Sequence, residues 1–457
     1  MRRSNAILFI LFCLLSAVVC AEPLTLDSCL RLARENNATI RKAELEVERA
    51  EQVRMQAMTK FFPNVQATAV GFHSLKPIVD IGIDDIGNAS VRDLLLTLYG
   101  NYGAALGLDN TISLFQHGIT AGVSAIQPVF MGGKIIAGNK LAKLGVEAAS
   151  LQAEIAERDL LEQVEESYWL VVGLEDKQRT LEQVSHLLDT VEHLVSSAVG
   201  AGLALETDKM QVQVKQAELH KQRILLESGL SLARRALLQS IGVGAIGEAA
   251  MPLDVAPLGE APLDVASLDE ASLGGGQTPE QSLLALQTRA AELERTMTIA
   301  DALPKIVVGA NYGYSKTDVN FLKNGLNGWN GALFAMVSVP LTGWWETGHK
   351  IREKSLRLEE ARMEERDLSE KLTLRTQQAY DQMMASALLV EQAERAVSLS
   401  ERRAELSQVG YRAGTASITD LLTAETELLA AKNELTDAHI AYRVHQRRYR
   451  DLVLLER

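Results

Sequence analysis

Pro128 and Gly202 lie 74 residues apart, and so do Pro340 and Gly414. Each proline ends a stretch of alternating side chains, and each glycine opens a helix-start signal, so the chain carries one long unit twice. A helical segment of that length would reach roughly 110 Å at the α-helical rise per residue, several times the width of a globular domain. Two such rods, each entered and left through strands, suit a molecule that crosses something.

The N-terminus points to export. Arg2 and Arg3 precede an apolar run from Ala6 to Val19, and Val19-Cys20-Ala21 meets the small-residue cleavage rule, so residues 1–21 read as a secretory signal peptide. Val19, in front of Cys20, is not the small residue that lipidation of a cysteine takes. Cleavage at Ala21 leaves Cys29 as the single cysteine, which excludes an intrachain disulfide scaffold. No later apolar run is long enough for a transmembrane helix, so contact with a membrane interior falls to strands. The net charge of -13 without a basic cluster argues against nucleic acid. With aromatics at 5% and only 10 prolines, the composition suits long helices packed side by side.

The periodicity then divides the chain into two copies of helix, strand pair and long helical hairpin: residues 22–250 and 278–457, joined by 251–277. The first copy opens with a helix predicted from Leu26 to Phe61, ended by Pro63. The second opens at Thr278-Pro279-Glu280-Gln281, with Thr as N-cap, Pro at the first helical position and Gln closing a capping box. After Pro304 the period becomes two: Ile306, Val308, Ala310, Tyr312 and Tyr314 share one face, with mostly small or polar residues on the other. Strands are predicted at 333–341, 65–72 and 119–126 as well, four per chain. The loop 74–116 carries a helical insert at 91–98. Long helices leave from Gly133 and about Thr347, and the last helix repeats Leu421, Ala424, Leu428, Ala431, Leu435 and Ala438 at coiled-coil spacing. The joining stretch repeats Pro-Leu-Asp-Val-Ala at 252–256 and 262–266 before three glycines, an irregular linker. Gly242 to Gly247 matches a dinucleotide fingerprint but follows a helix rather than a strand, which removes its meaning.

No catalytic constellation, cofactor motif or metal motif emerges. His186 and His193 sit seven apart on one helix face, where a solvated face is the better reading than a metal pair. Trp344 and Trp345 follow the last strand and read as an aromatic belt at the membrane interface, against ordinary burial at the strand-helix joint. At the helical turns, Gly202 and Gly414 free the backbone, Ser417 can cap the next helix, and Asp208 and Asp420 each stand six residues past their glycine. The plain reading of both acids is stabilisation of a helix N-terminus.

Leu24 to Ala33 with Asn36-Asn37, the entries Phe62-Pro63 and Leu303-Pro304, Gln127 to Lys134, Val339 to Leu341 and Gly410 to Asp420 together resemble the TolC family of outer-membrane efflux proteins. The resemblance implies a homotrimer in the Gram-negative outer membrane, four strands from each protomer building one twelve-stranded β-barrel continued by a periplasmic α-helical coiled-coil barrel. It implies a passive exit duct for an efflux pump or type I secretion system, with a periplasmic adaptor and an inner-membrane transporter as partners and outer-membrane lipid around the barrel. It further implies that acids on the inner helix narrow the periplasmic mouth. Asp420 matches the first such acid, Thr423 stands where the second would be, and Tyr411 matches a tying tyrosine whose arginine partner is replaced by Ala416. Independently of the resemblance, four strands cannot close a barrel and open edges in hydrocarbon are costly, so several chains must share one. The rival reading is a periplasmic coiled-coil adaptor or structural rod that stays outside the outer membrane, for which four alternating stretches would have no use.

Overall fold

The computed structural model describes residues 25–76, 79–103, 111–243, 278–319, 326–340 and 343–454. The signal sequence, Cys20, most of the glycine fingerprint and the linker 251–277 lie outside these residues. The chain forms two compact units, one of residues 1–48, 148–285 and 363–457, the other of 49–147 and 286–362.

The second unit is built on an antiparallel sheet. Its strands are β1 (Asn64–His73), β2 (Val79–Gly82), β3 (Thr111–Phe130), β4 (Lys305–Val319) and β5 (Leu326–Ser338), and the long strands run in the order β1-β3-β4-β5. Each prolines-to-strand expectation holds, but β3 is longer than the alternation of 119–126 suggested, and β5 begins earlier than Leu333. The short β2 was not foreseen. It pairs with β3 at 111–114, where β4 occupies the other side of β3, so it prolongs the β1 edge. Between β2 and β3 lies helix Ala89–Leu98, N-capped by the Asn88 side chain, matching the predicted insert.

Register sorts the sheet into two unlike faces. On one, Val65 pairs with Ala125, Val123 with Tyr312, Tyr314 with Trp329 and Ala310 with Leu333; on the other, Gln66 pairs with Ser124, Thr68 with Gly122, Ser124 with Asn311 and Gly313 with Asn330. The apolar face is uncovered: Leu333 is 88% exposed and Trp329 67%.

The predicted helix Leu26 to Phe61 is broken. It is Leu26–Asn36 followed by Ala38–Thr59, the latter without a buried residue. Asn37 makes the break: its backbone is extended, its Oδ1 accepts from Thr39 N at 2.7 Å, and its Nδ2 donates to the Ser240 carbonyl at 2.5 Å. An Asn that can cap the next turn with its own side chain competes with helix continuation. The long helices are Lys134–Gly200, Glu206–Ser240, Trp344–Arg412 and Ile418–Leu454, here αA, αB, αC and αD, with Pro279–Asp301 preceding β4. αC starts at Trp344, three residues before the predicted Thr347.

Packing of these helices follows the seams. Leu181, Leu188, Val191 and Val195 of αA, Val212 and Leu219 of αB and Ile418, Leu421, Leu422 and Leu429 of αD form one core cluster. A second joins Cys29 and Ala33 to Leu160–Val172 of αA and Leu230–Ile241 at the end of αB. Tyr442 and Tyr449 of αD are buried against Ala379, Met383 and Val390 of αC. Ion pairs cross the same seams, Lys177 of αA with Asp437 of αD at 2.6 Å and Arg234 of αB with Glu175 of αA at 2.7 Å. At 23% or more exposure on one member, these surface pairs add little beyond register.

Candidate functional site: the hairpin turns and the sheet faces

Both helical turns are closed by the same backbone device. Gly202 has φ +73° and Gly414 φ +74°, the left-handed region that glycine enters without a steric cost. Past each, the chain reaches back: Leu203 N donates to the Ala198 carbonyl at 2.8 Å and Thr415 N to the Gly410 carbonyl at 2.8 Å, the double closure of a Schellman end.

The following N-termini are capped unequally. Ser417 and Asp420 form a reciprocal box, with Asp420 N donating to Ser417 Oγ at 3.1 Å and both the Ser417 amide, at 3.1 Å, and its hydroxyl, at 2.7 Å, donating to Asp420 Oδ2. Those bonds, the side-chain one foremost, hold the Asp420 carboxyl below the usual carboxylate range, with Arg403 assisting. At the other turn, Leu205 N donates to Asp208 Oδ2 at 3.2 Å, but the Leu205 side chain carries no acceptor to return a bond. Both acids therefore do what first-turn acids ordinarily do, and Asp420 remains exposed at the surface.

The two turns lie together. Thr419 Oγ1 donates to Gln211 Oε1 at 3.0 Å, joining the start of αD to the start of αB. Tyr411 packs on the cluster that holds Ile418 and Leu421, and its hydroxyl pKa is pushed up by burial and then by the charge of Asp208. Thr423 turns its hydroxyl onto its own helix, donating to the Thr419 carbonyl at 2.7 Å. Arg403 pairs with Glu427, bracing αC against αD beside the turn. Sequence reasoning passed over Gln211, Arg403 and Glu427; Gln211 lies one turn past Asp208 and Glu427 two turns past Asp420, and that helical spacing was the signal available.

One buried acid was also missed. Glu425 is 6% exposed on αD, between Leu422 and Leu429, and burial raises its pKa, with Lys432 the attracting charge that opposes the shift. His186 and His193 lie in αA, and among the described residues no group of three His, Cys, Asp or Glu side chains is placed to hold a metal ion.

On the sheet, Tyr312 stacks on Trp329 with ring centroids 5.4 Å apart, and Tyr314 tilts against the same indole at 5.6 Å. This aromatic group stands on the apolar face, toward the strand ends away from the helices. Trp344 and Trp345, at the opposite strand ends, are both exposed rather than buried at the joint. Among the described residues, no helix is long and apolar enough to cross a membrane.

Comparison with solved structures gives the same fold. The outer membrane protein VceC of Vibrio cholerae aligns with a TM-score of 0.75 at 16% identity, covering 94% of this chain and 95% of that one. The CmeC outer membrane channel of Campylobacter jejuni gives 0.77 at 14% identity over 94% and 85%, and the MtrE outer membrane channel of Neisseria gonorrhoeae 0.73 at 16% over 94% and 88%. No curated protein matches the sequence. The model of outer membrane efflux proteins matches residues 29–243 and 281–451, and the chain belongs to that family.

Proposed function

We propose that this outer-membrane efflux protein works as a homotrimeric, passive exit duct, its mouth opened by a periplasmic adaptor coupled to an inner-membrane transporter. The observation that carries this is the sheet: four long strands with one apolar face and one of mostly small or polar residues, and, among the described residues, two unpaired edges, β1 and β5. In hydrocarbon an unpaired edge leaves backbone groups without partners at several kcal/mol each, so the edges must meet those of other copies. Three chains then supply a closed barrel of about twelve strands, an ordinary size for an outer-membrane barrel. The apolar face meets lipid, the polar face lines the lumen, and Trp344 and Trp345 lie at the headgroup boundary on the helical side.

At the turns, Asp420 from three copies converges on the periplasmic mouth and makes it favour cations. Thr423 adds no second ring of charge, and Tyr411, without an arginine at 416, holds the closed turn through packing. Residues 1–21 direct export, and 251–277 link two repeats, 22–250 and 278–457. The test is assembly and conductance: the purified full-length protein should sediment as three chains and open channels in planar bilayers, with cation preference reduced by Asp420→Asn. A monodisperse single chain without conductance would overturn the duct.

A further inference from the structure

The apolar sheet face is not smooth. At the level of Ala125, Ala310 and Ala335, three small side chains leave a groove of about 560 Å³ across the strands, walled by Val308 and Leu333 and closed at the β1 end by Pro63. Ala125, Val308, Ala310, Leu333 and Ala335 share the apolar face by register, and Gly309 and Phe334, which pair with each other, complete the lining. The volume lies within the range of sites that hold a small organic ligand. The groove has one polar side chain, Gln127, three residues from the end of β3. Its amide is oriented without ambiguity: Nε2 donates to the Phe61 carbonyl at 3.2 Å and to the Pro128 carbonyl at 2.9 Å. That leaves Oε1 turned away from both, shielded and without a donor anywhere among the described residues. A buried acceptor left unmade is costly, and the cost falls when a ligand supplies the missing donor.

We propose that this groove is a binding site for one phospholipid of the helical-side leaflet, an acyl chain lying in the alanine depression and a primary ammonium headgroup donating to Gln127 Oε1. The inference rests on the reading of this face as lipid-facing. The occupant follows from three features. The groove is continuous with that face, its lining carries no charge, and its one unmet acceptor stands near the strand ends, where headgroups begin rather than chain termini.

The full-length protein is reconstituted in vesicles of equal phosphatidylethanolamine and phosphatidylcholine, re-extracted in mild detergent, and its retained lipid measured by mass spectrometry. Wild type should retain phosphatidylethanolamine over phosphatidylcholine, whose quaternary nitrogen has no N–H, by about three- to tenfold, the worth of one hydrogen bond. Ala310→Phe fills the groove and should abolish retention of both, with Ala335→Phe as the second filling variant should the first not assemble. Gln127→Leu should keep bound lipid but lose the preference. Equal retention of the two lipids by wild type, or undiminished retention with the groove filled, would overturn the site. Quenching of Trp329 by brominated lipid, in a variant with the other tryptophans replaced by Phe, separates the two readings. Quenching without selective retention removes the groove alone, whereas an unquenched Trp329 removes the lipid-facing assignment as well.

Discussion

Asp420 and Ser417 illustrate how one pair of residues serves structure and charge together. Replacing Ser417 by Ala removes the hydroxyl that accepts from the Asp420 amide and should cost about 0.5–2 kcal/mol, read as a lowered unfolding midpoint. The acid side of the pair is linked to pH. Its folded-state pKa is depressed, so its contribution is complete above the ordinary carboxylate range and is lost as pH falls through the folded value. Acidification below the ordinary carboxylate range should therefore loosen the Gly414 turn, visible as faster amide exchange at Ser417 to Asp420. Glu425 carries the opposite sign. Its raised pKa means that charging it costs stability as pH rises through the ordinary carboxylate range toward the folded value. Glu425→Leu should thus stabilise the fold near neutral pH by about 1–3 kcal/mol, an advantage that shrinks in acid; thermal unfolding at two pH values checks it. The glycines differ among themselves too. An alanine at Gly202 or Gly414 would meet open space and bear only the left-handed strain of about 1–2 kcal/mol. At Gly132 the added Cβ would come within 2.7 Å of the Ala300 carbonyl, and at Gly242 within 2.6 Å of that of Asn36, backbone atoms that cannot swing aside. Those two variants should destabilise more, by the same unfolding measurement.

Among the elements, what was legible in the sequence is what repeats. The αD seam reads as a coiled coil because Leu421, Ala424, Leu428, Ala431, Leu435 and Ala438 recur at helical spacing; Leu421, Ala424 and Ala431 are buried and the other three half-buried. The strands of the second repeat read as strands because Ile306 to Tyr314 alternate without interruption, and register keeps that set on one face. The misses have local causes. The break at Asn37 rests on a bond to Ser240, some two hundred residues away, which no periodicity of 26–61 records. β2 is four residues long and too short to establish an alternation, and its place is fixed by β3 rather than by its own sequence. For the functional residues, the turn acids were visible through their matched spacing from glycine, whereas their capping bonds depend on side-chain geometry that spacing does not record. The link between turns, Thr419 to Gln211, depends on how αB and αD approach, which is a property of packing. The groove at Ala125, Ala310 and Ala335 is likewise invisible along the chain, since its floor is assembled from separate strands.

For the whole molecule, the decisive property is that its two sheet faces are unlike while neither is covered. A periplasmic rod would gain nothing from exposing Leu333, Tyr312 and Trp329 on one face, whereas a barrel wall requires it. The alternation makes the assignment testable with neighbouring residues, because a step of one position along β3 changes the solvent of a side chain from lipid to lumen. Ala121 pairs with Ala69 and Tyr314 on the apolar face; Thr120 pairs with Val70 and Ser315 on the other. Ala121→Lys should place an ammonium in hydrocarbon at a cost of about 2–4 kcal/mol in each chain, lowering the yield of assembled channels. Thr120→Lys should assemble normally and line the lumen with added positive charge, shifting single-channel selectivity toward anions. The two variants differ by one residue in position and not at all in the group introduced, so charge, size and strand propensity cancel between them. If Thr120→Lys blocks assembly while Ala121→Lys forms channels of altered selectivity, the faces are reversed and the barrel closes with the aromatic group inside.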